Sequence, residues 1–252
     1  MNDQFLHLLN FVLLSRLVYT FSDATIRGRQ FAAMVAIQIV GLLSFELNLA
    51  WWVLLVLMVG QAILFQVIEK RSGRSGGIRT ISLVVSIVLL SVFFSPRIGL
   101  SYNSALFGAL AGLGQYTTLA SVFTAINRAH AGSYLMGFLL VLNEANLVLR
   151  GLLRRLNMAP RGRENNRSGE KGLTQEEYNT GRIIGMLERT IIYIAVLNNE
   201  VAAIGLVLAA KAFTRYKEFE DRDFAEYVLI GTLLSAFIAV VVAMVVKGIG
   251  AG

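Results

Sequence analysis

The chain has no cysteine and only two histidines, and each shortage excludes a class of chemistry. Without cysteine the protein forms no disulfide, offers no thiol nucleophile and builds no cysteine-ligated metal site. His7 and His130 are too few for a histidine cluster with metal-ligand spacing. We therefore expect no metal site and no cofactor.

Sequence motifs of the common enzyme classes are missing as well. The chain contains no Walker loop, no Gly-x-Gly-x-x-Gly, no His-Glu-x-x-His and no Gly-x-Ser-x-Gly. The acidic run from Glu218 to Asp223 is interleaved with Lys217 and Arg222, which favours a solvated turn over a site for a divalent ion. The catalytic residues stay unassigned, and the sequence leans against an enzyme without excluding one.

Charge is scarce, and long apolar runs take its place. Charged residues make up 15% of the 252 residues, hydrophobic residues make up 56%, and the mean hydropathy is +0.63. Soluble domains carry about 25% charged residues on average. The deficit predicts a polytopic membrane protein, with the lipid bilayer as its first partner. The net charge of +7 indicates basic cytoplasmic loops rather than a nucleic-acid partner.

Nine apolar segments alternate with polar stretches along the chain. Their runs do not alternate apolar and polar residues as barrel strands do, so helices are the remaining way to span lipid. We predict an all-α transmembrane bundle of about eight membrane segments, within a range of seven to nine. The apolar segments are 5–21, 31–45, 49–68, 81–94, 105–126, 134–153, 183–197, 201–213 and 224–246.

Lysine and arginine in the short loops predict the topology. The basic loops 22–30, 69–79 and 154–173 should all be cytoplasmic, in a bacterial inner membrane, and they are suited to anionic lipid. Three full crossings between the second and third loops would put the third loop outside. Segment 105–126, with Gly108, Gly112 and Gly114, is therefore either a broken or re-entrant helix or a full helix with small residues for close packing.

A polar linker divides the chain into two parts. Residues 157–180 are rich in charge, glycine and asparagine, whereas 1–156 and 181–248 carry the apolar segments. Thr174 and Glu177 have the spacing of a capping box, which predicts that a helix begins there. We thus predict an N-terminal transmembrane bundle, a basic cytoplasmic linker and a C-terminal module of three membrane helices. A homo-oligomer is compatible with this arrangement.

A polar stripe interrupts the sixth apolar segment. Asn143, Asn146 and Arg150 recur at helical spacing, with Arg154 one further turn along and Glu144 beside them. One interpretation is a polar lining of a pathway. The other is hydrogen bonding between helices, with arginines reaching the membrane interface.

The C-terminal segments carry charges of both signs. Glu200 and Lys211 share a helical face, and Gly181 and Gly185 have a spacing that permits close helix approach. Desolvated charges are costly unless paired, so the leading interpretation is an ion-pair network that joins the last three helices. The members of that network would be Glu188, Arg189, Lys211, Arg215 and Glu226.

The same region resembles an uncharacterised family of bacterial integral membrane proteins, a domain of unknown function. The resemblance covers about the last quarter of the chain, and the family has no established activity, so it implies positions rather than a function. It rests on Gly181-Arg182-x-Ile184-Gly185-x-Leu187-Glu188-Arg189, Ala203-Ile204-Gly205, Ala209-Ala210-Lys211-x-x-x-Arg215 and Ala225-Glu226-Tyr227-x-Leu229-Ile230-Gly231-Thr232-Leu233.

Three functions fit this sequence. The first is passage or sensing of an ion or small solute through an intramembrane polar centre, because ionisable groups inside membrane spans usually mark a function. The second is a membrane-embedded enzyme acting on a lipid or polyprenyl phosphate. The third is a non-catalytic assembly protein that docks a partner through its basic linker. The polar centre of the first hypothesis would comprise Glu144, Glu188, Arg189, Glu200, Lys211, Arg215 and Glu226.

Overall fold

A computed structural model describes most of the apolar segments as helices. The described residues are 3–20, 26–72, 75–95, 98, 100–105, 128–156, 175–214, 216 and 222–250. Over these ranges the chain is helical, and its only strand-like pairing is an isolated bridge between Phe45 and Tyr102. The prediction of an all-α fold is confirmed for this part of the chain. Segment 105–126 lies almost wholly outside it.

Nine α-helices make up the described fold. A 3-10 turn (Leu17–Tyr19) extends the first helix, and a π-helical segment (Leu140–Glu144) joins the fifth to the sixth. The helices are α1 (Asp3–Arg16), α2 (Gly28–Leu42), α3 (Leu49–Ser72), α4 (Ser75–Phe93), α5 (Arg128–Leu139), α6 (Ala145–Arg155), α7 (Gln175–Leu197), α8 (Val201–Thr214) and α9 (Arg222–Gly250).

The described residues form two compact units, one up to Leu139 and one from Leu140 onwards. The division falls at the π segment, whereas the sequence suggested a linker at 157–180. Residues 157–174 of that linker lie outside the described part. Helix α7 begins at Gln175, which confirms the predicted helix start and adds the last residues of the linker to the helix.

Helix α1 is the centre of the N-terminal unit and packs against α2, α4 and α5. Four of its five leucines are almost wholly buried, which explains why a helix of only 14 residues is stable there. A Cβ atom on Gly41 of α2 would lie 2.5 Å from Cγ of Phe11, so only glycine allows this approach of α1 and α2. The Asn10 amide also donates to the carbonyl of Gly132 at 2.9 Å, joining α1 to α5.

Helices α2 and α3 form a hairpin. Trp51 fixes its tight end, because its indole Nε1 donates to the carbonyl of Leu42 at 2.8 Å while its backbone N–H is capped by Asn48. The neighbouring Trp52 is 55% exposed and meets Trp51 edge to face. A buried tryptophan needs a hydrogen-bond acceptor for its indole N–H, and the carbonyl of Leu42 is that acceptor for Trp51.

The prediction that residues 69–79 form a loop is wrong. Helix α3 continues to Ser72 and α4 starts at Ser75, so Glu69 and Arg79 both lie within helices. The glycine-rich sequence suggested a flexible loop. A buried ion pair between Glu69 and Arg79 instead fixes the end of one helix against the start of the next.

The C-terminal unit is built around α7. This helix packs against α8, α9 and the π segment, and α9 also contacts α6. Ala239, Ala243 and Val246 of α9 are wholly buried, so small and β-branched side chains form the face on which the helices meet.

Four described helices are long and apolar enough to cross a membrane. Their apolar windows are less than half buried inside the protein, and large hydrophobic side chains cover their outer surfaces. That outer surface suits lipid rather than water. Helices α2 and α8 are apolar but shorter. The four spans are Leu49–Ser72, Gly76–Phe93, Ala131–Arg155 and Ala225–Ile249.

Candidate functional site

The N-terminal unit contains a buried ion pair that the sequence did not indicate. Nη2 of Arg79 lies 2.7 Å from Oε1 of Glu69, and the two residues are only 4% and 2% exposed. A charge buried at this depth is stable only when it is paired. The pair joins the last turns of α3 to the first turns of α4.

A second arginine and a tyrosine complete this cluster. Arg16, 4% exposed, donates from Nη2 to the backbone carbonyl of Arg79 at 2.8 Å. The 3-10 turn after α1 contains Tyr19, whose ring centroid lies 4.5 Å from the guanidinium carbon of Arg79 and 5.5 Å from that of Arg16. Cation–π attraction thus adds to the ion pair.

This cluster forms one end of a cavity enclosed by α1, α2, α3 and α4. The cavity has about 640 Å³ of empty space when its open mouth is included. Along α3 it extends from Met58 to Glu69, which corresponds to about 16 Å at 1.5 Å per residue. Apolar side chains form much of its wall. Its polar lining residues are Arg16, Tyr19, Gln38, Gln61, Gln66, Glu69, Arg79, Ser82 and Ser86.

Three glutamines in the wall are held by hydrogen bonds from their amide nitrogens. Nε2 of Gln61 donates to the carbonyl of Ser82 at 2.9 Å and to Oγ of Ser86 at 2.7 Å. Nε2 of Gln38 donates to Oγ of Ser15 at 3.0 Å, and Nε2 of Gln66 faces the carbonyl of Ile26 at 3.5 Å. A carbonyl only accepts, so its contact with the amide nitrogen fixes which way the amide of Gln61 points.

A sequence signal for this site existed. Arg79, Ser82 and Ser86 follow i, i+3 and i+7, the same periodicity that drew attention to the stripe beginning at Asn143. Gln61 and Glu69 are eight residues apart and so share one face of α3. The signal was missed because Arg79 was assigned to a loop and an isolated glutamine in an apolar run has many structural explanations.

Among the described residues of the C-terminal unit, Arg189 is the most deeply buried charge. Only 2% of it is exposed, and its guanidinium donates to three partners. These are the carbonyl of Val141 at 3.1 Å, Oδ1 of Asn146 at 2.6 Å and Oγ of Ser235 at 3.1 Å. A π turn disturbs the regular helix ladder, so the carbonyl of Val141 inside it is open to a side-chain donor.

The predicted ion-pair network is present in part. Nζ of Lys211 lies 2.6 Å from Oε2 of Glu188, which joins α7 to α8 through two of the candidate members. Arg189 makes the hydrogen bonds described above. Glu200 and Glu226 are exposed, and Arg215 lies outside the described residues.

The residues of the predicted polar stripe differ in how deeply they are buried. Asn143 and Glu144 are buried and joined by a hydrogen bond of 2.8 Å from the amide to the carboxylate. Asn146 binds Arg189, and Arg150 donates from Nε to the carbonyl of Asn146 at 3.3 Å. The deep part of the stripe therefore bonds helices together, as one of the two interpretations proposed. Arg154 and Arg155 are exposed at the end of α6.

The two glycines of α7 differ. Gly181 was predicted to allow close helix approach, and this is wrong for the described residues, because no described atom lies within 4 Å of the Cβ it would carry. A Cβ on Gly185 would lie 3.4 Å from Nη1 of Arg189. Gly185 thus leaves room for a guanidinium rather than for a neighbouring backbone.

Comparison with known proteins adds no relative. No family model, no curated protein and no solved structure matches the chain. The resemblance of residues 181–233 to a family of bacterial membrane proteins therefore stays a prediction.

Proposed function

We propose that this chain is a multi-pass protein of a bacterial inner membrane that passes or senses a small polar solute through the cavity of its N-terminal unit. The observation that carries the proposal is the cavity itself. It is lined by buried charges and amides, and two of its walls are the membrane-length helices α3 and α4. Polar groups within membrane spans are costly and usually serve a function.

Basic residues support an orientation for this cavity. Arg27 and Arg29 lie at the start of α2, and Lys70 and Arg71 lie at the end of α3. Both helix ends belong to the same end of the hairpin, and the positive-inside rule makes that end cytoplasmic. The cluster of Glu69 and Arg79 would then lie near the cytoplasmic side.

The C-terminal polar centre is better explained as support for the fold. Glu188 and Lys211 are paired, and Arg189 donates hydrogen bonds to three acceptors on neighbouring segments. Polar contacts of this kind between helices rigidify a bundle. We therefore place the solute pathway in the N-terminal unit rather than at the C-terminal charges.

The cavity also separates this proposal from the two alternatives. A lipid-phosphate enzyme would direct its arginines at a phosphate, whereas Arg79 binds Glu69 and Arg16 binds the carbonyl of Arg79. A scaffold protein needs no polar cavity between membrane-length helices. Neither alternative has an observation of its own in the described part of the chain.

A steric block of the cavity tests the proposal. Ala62 lines the cavity, whereas Gly60, two residues earlier on α3, has an open Cβ position. The experiment compares wild type, Ala62→Phe and Gly60→Phe in proteoliposomes with a panel of small ions and neutral solutes. A second readout is the solute-induced rise in melting temperature in detergent micelles, which detects sensing without passage.

We expect Ala62→Phe to lower flux or apparent solute affinity by about tenfold, which corresponds to about 1.4 kcal/mol, and Gly60→Phe to behave as wild type. The proposal fails if no solute in the panel crosses or stabilises the wild-type protein. It also fails if both phenylalanine variants respond alike.

A further inference from the structure

A buried apolar layer closes one end of the cavity. On each of the four helices that enclose the cavity, the residue four positions beyond the outermost lining residue is at most 8% exposed. Four positions correspond to about one helical turn, or about 6 Å. The lining residues at this end are Val12, Gln38, Met58 and Leu90, and the layer beyond them consists of Leu8, Leu42, Leu54 and Phe94. Packed apolar side chains therefore seal this end of the cavity.

This layer lies at the outer end of the cavity in the proposed orientation. That orientation makes the start of α2 and the end of α3 cytoplasmic, whereas the layer includes the last residue of α2 and lies near the start of α3. A solute that passes through the cavity must therefore cross the layer.

Four aromatic rings continue the layer outwards, and we call them the outer plug: His7, Phe45, Phe94 and Tyr102. The ring of Phe45, which is 0% exposed, stacks on that of Tyr102 with centroids 5.1 Å apart and 16° between the ring planes. It also lies 5.3 Å from the ring of Phe94. His7 meets Phe45 and Tyr102 edge to face at 5.8 Å and 5.7 Å. The plug thus connects the layer, through Phe94, to Tyr102.

Tyr102 belongs to a short non-helical segment, residues 101–103, which we call the strap. Two backbone hydrogen bonds of 3.0 Å join the strap to the turn after α2, on either side of the isolated bridge. At the exposed edge, Oγ of Ser101 donates to Oε2 of Glu46 at 2.9 Å. Leu100, only 1% exposed, anchors the chain just before the strap.

The strap is the part of this closure that opens at the lowest cost. Leu8, Leu42 and Leu54 of the layer are held within helices, whereas the strap has a single bridge and Tyr102 is half-buried. Segments with few buried apolar contacts and exposed hydrogen bonds open more readily than packed helices. Release of the strap takes the ring of Tyr102 off Phe45 and gives the plug room to turn away from the layer.

We infer that the outer plug and the strap form the outer gate of the cavity. With the strap docked, the stacked rings hold the layer closed, and with the strap released, the cavity opens to the outer side. This inference rests on the proposed function and concerns the regulation of the same cavity.

The test measures how fast a thiol in the cavity reacts with a reagent added on the outer side. Ala62→Cys places the thiol in the cavity wall of a chain that has no cysteine of its own. The reagent is 2-sulfonatoethyl methanethiosulfonate, an anion that does not cross lipid, added to right-side-out membrane vesicles. Gly60→Cys is the matched control, because position 60 is on the same helix and is not part of the cavity wall.

Two changes act on the strap in opposite directions. Tyr102→Ala removes the stacked ring. Glu46→Cys with Ser101→Cys locks the strap, because these exposed residues oppose each other. Opposed residues of an antiparallel pair have Cα atoms about 5.5 Å apart, a spacing that a disulfide bridges. Diamide forms the disulfide, and every variant receives the same treatment before the reagent is added.

We expect the thiol at position 62 to react slowly when the strap is unaltered. Tyr102→Ala should raise its reaction rate about tenfold, because an aromatic pair is lost. The disulfide should lower the rate at least about tenfold, because the strap can no longer leave. Neither change should alter the rate at position 60.

The other outcomes separate the gate from the proposed function. Equal rates at position 62 in all three forms of the strap would overturn the gate, and so would a rise at both positions in Tyr102→Ala, which indicates general loosening. If the rates do not follow the strap but a solute of the panel acts through Ala62, the gate alone falls. If the rates follow the strap but no solute of the panel crosses or stabilises wild type, the proposed function falls and the strap stays a movable closure.

Discussion

Two arginines, Arg79 and Arg189, are buried to a similar depth in different units, and their surroundings differ. Arg189 meets three acceptors on the π segment, α6 and α9, so it fills the space between helices. Arg79 meets the carboxylate of Glu69 and the ring of Tyr19 at the edge of a cavity. Burial of a charge therefore does not by itself mark a functional centre. The cavity beside Arg79 distinguishes the two surroundings.

Removal of Arg189 should give the largest effect on stability. Arg189→Leu removes three hydrogen bonds between helices, each worth about 0.6 kcal/mol in membrane proteins. It also leaves their buried acceptors without a donor. We therefore expect the free energy of unfolding to fall by about 2 to 3 kcal/mol. The measurement is the free energy of unfolding in mixed detergent micelles. Arg154→Leu is the control, because Arg154 is exposed in the last turn of α6. Equal losses in the two variants would remove the contrast between the units.

Helix packing in the N-terminal unit gives the next effect. Gly41→Ala places a Cβ at 2.5 Å from Cγ of Phe11, and overpacking of this kind should cost about 1 to 2 kcal/mol in the same unfolding assay. Gly60→Ala has open space at its Cβ and should instead gain up to about 1 kcal/mol from helix propensity.

A rescue sharpens this prediction. Phe11→Leu in the Gly41→Ala background should restore part of the lost stability, because the smaller side chain yields to the new methyl group. No recovery would show that α1 and α2 do not meet through Phe11 and Gly41. The cavity would then lie in a unit less closely packed than the described contacts indicate.

The pair of Glu188 and Lys211 should give the smallest effect. Their side chains are 16% and 20% exposed, so solvent screening weakens the attraction between the two charges. A double-mutant cycle of Glu188→Gln and Lys211→Met should therefore give a coupling free energy of about 0.5 to 1 kcal/mol. Solute flux in proteoliposomes should match wild type in all three variants. A loss of flux without a loss of stability would return the functional centre to the C-terminal unit.

The sequence was sufficient for some of these contacts and not for others. The pair of Glu188 and Lys211 was predictable, because both lie in apolar segments joined by a short connection and desolvated charges need partners. The partners of Arg189 were not, because the carbonyl of Val141 becomes available only through a π turn that residue propensity does not indicate.

The N-terminal cavity was missed for a physical reason. Space between helices depends on how side chains of four helices meet, and periodicity describes one helix at a time. Arg79, Ser82 and Ser86 predict a polar face on α4, but only packing shows that this face meets Gln61 of α3. The all-α class followed from the apolar runs alone.

The positions of the tryptophans allow the unfolding of the two units to be distinguished by fluorescence. The chain has two, Trp51 and Trp52, and both lie at the start of α3 in the N-terminal unit. Tryptophan emission therefore reports the environment of the N-terminal unit alone, while the helical circular dichroism signal reports both. A difference between the unfolding midpoints of the two signals would reveal which unit unfolds first without any added label.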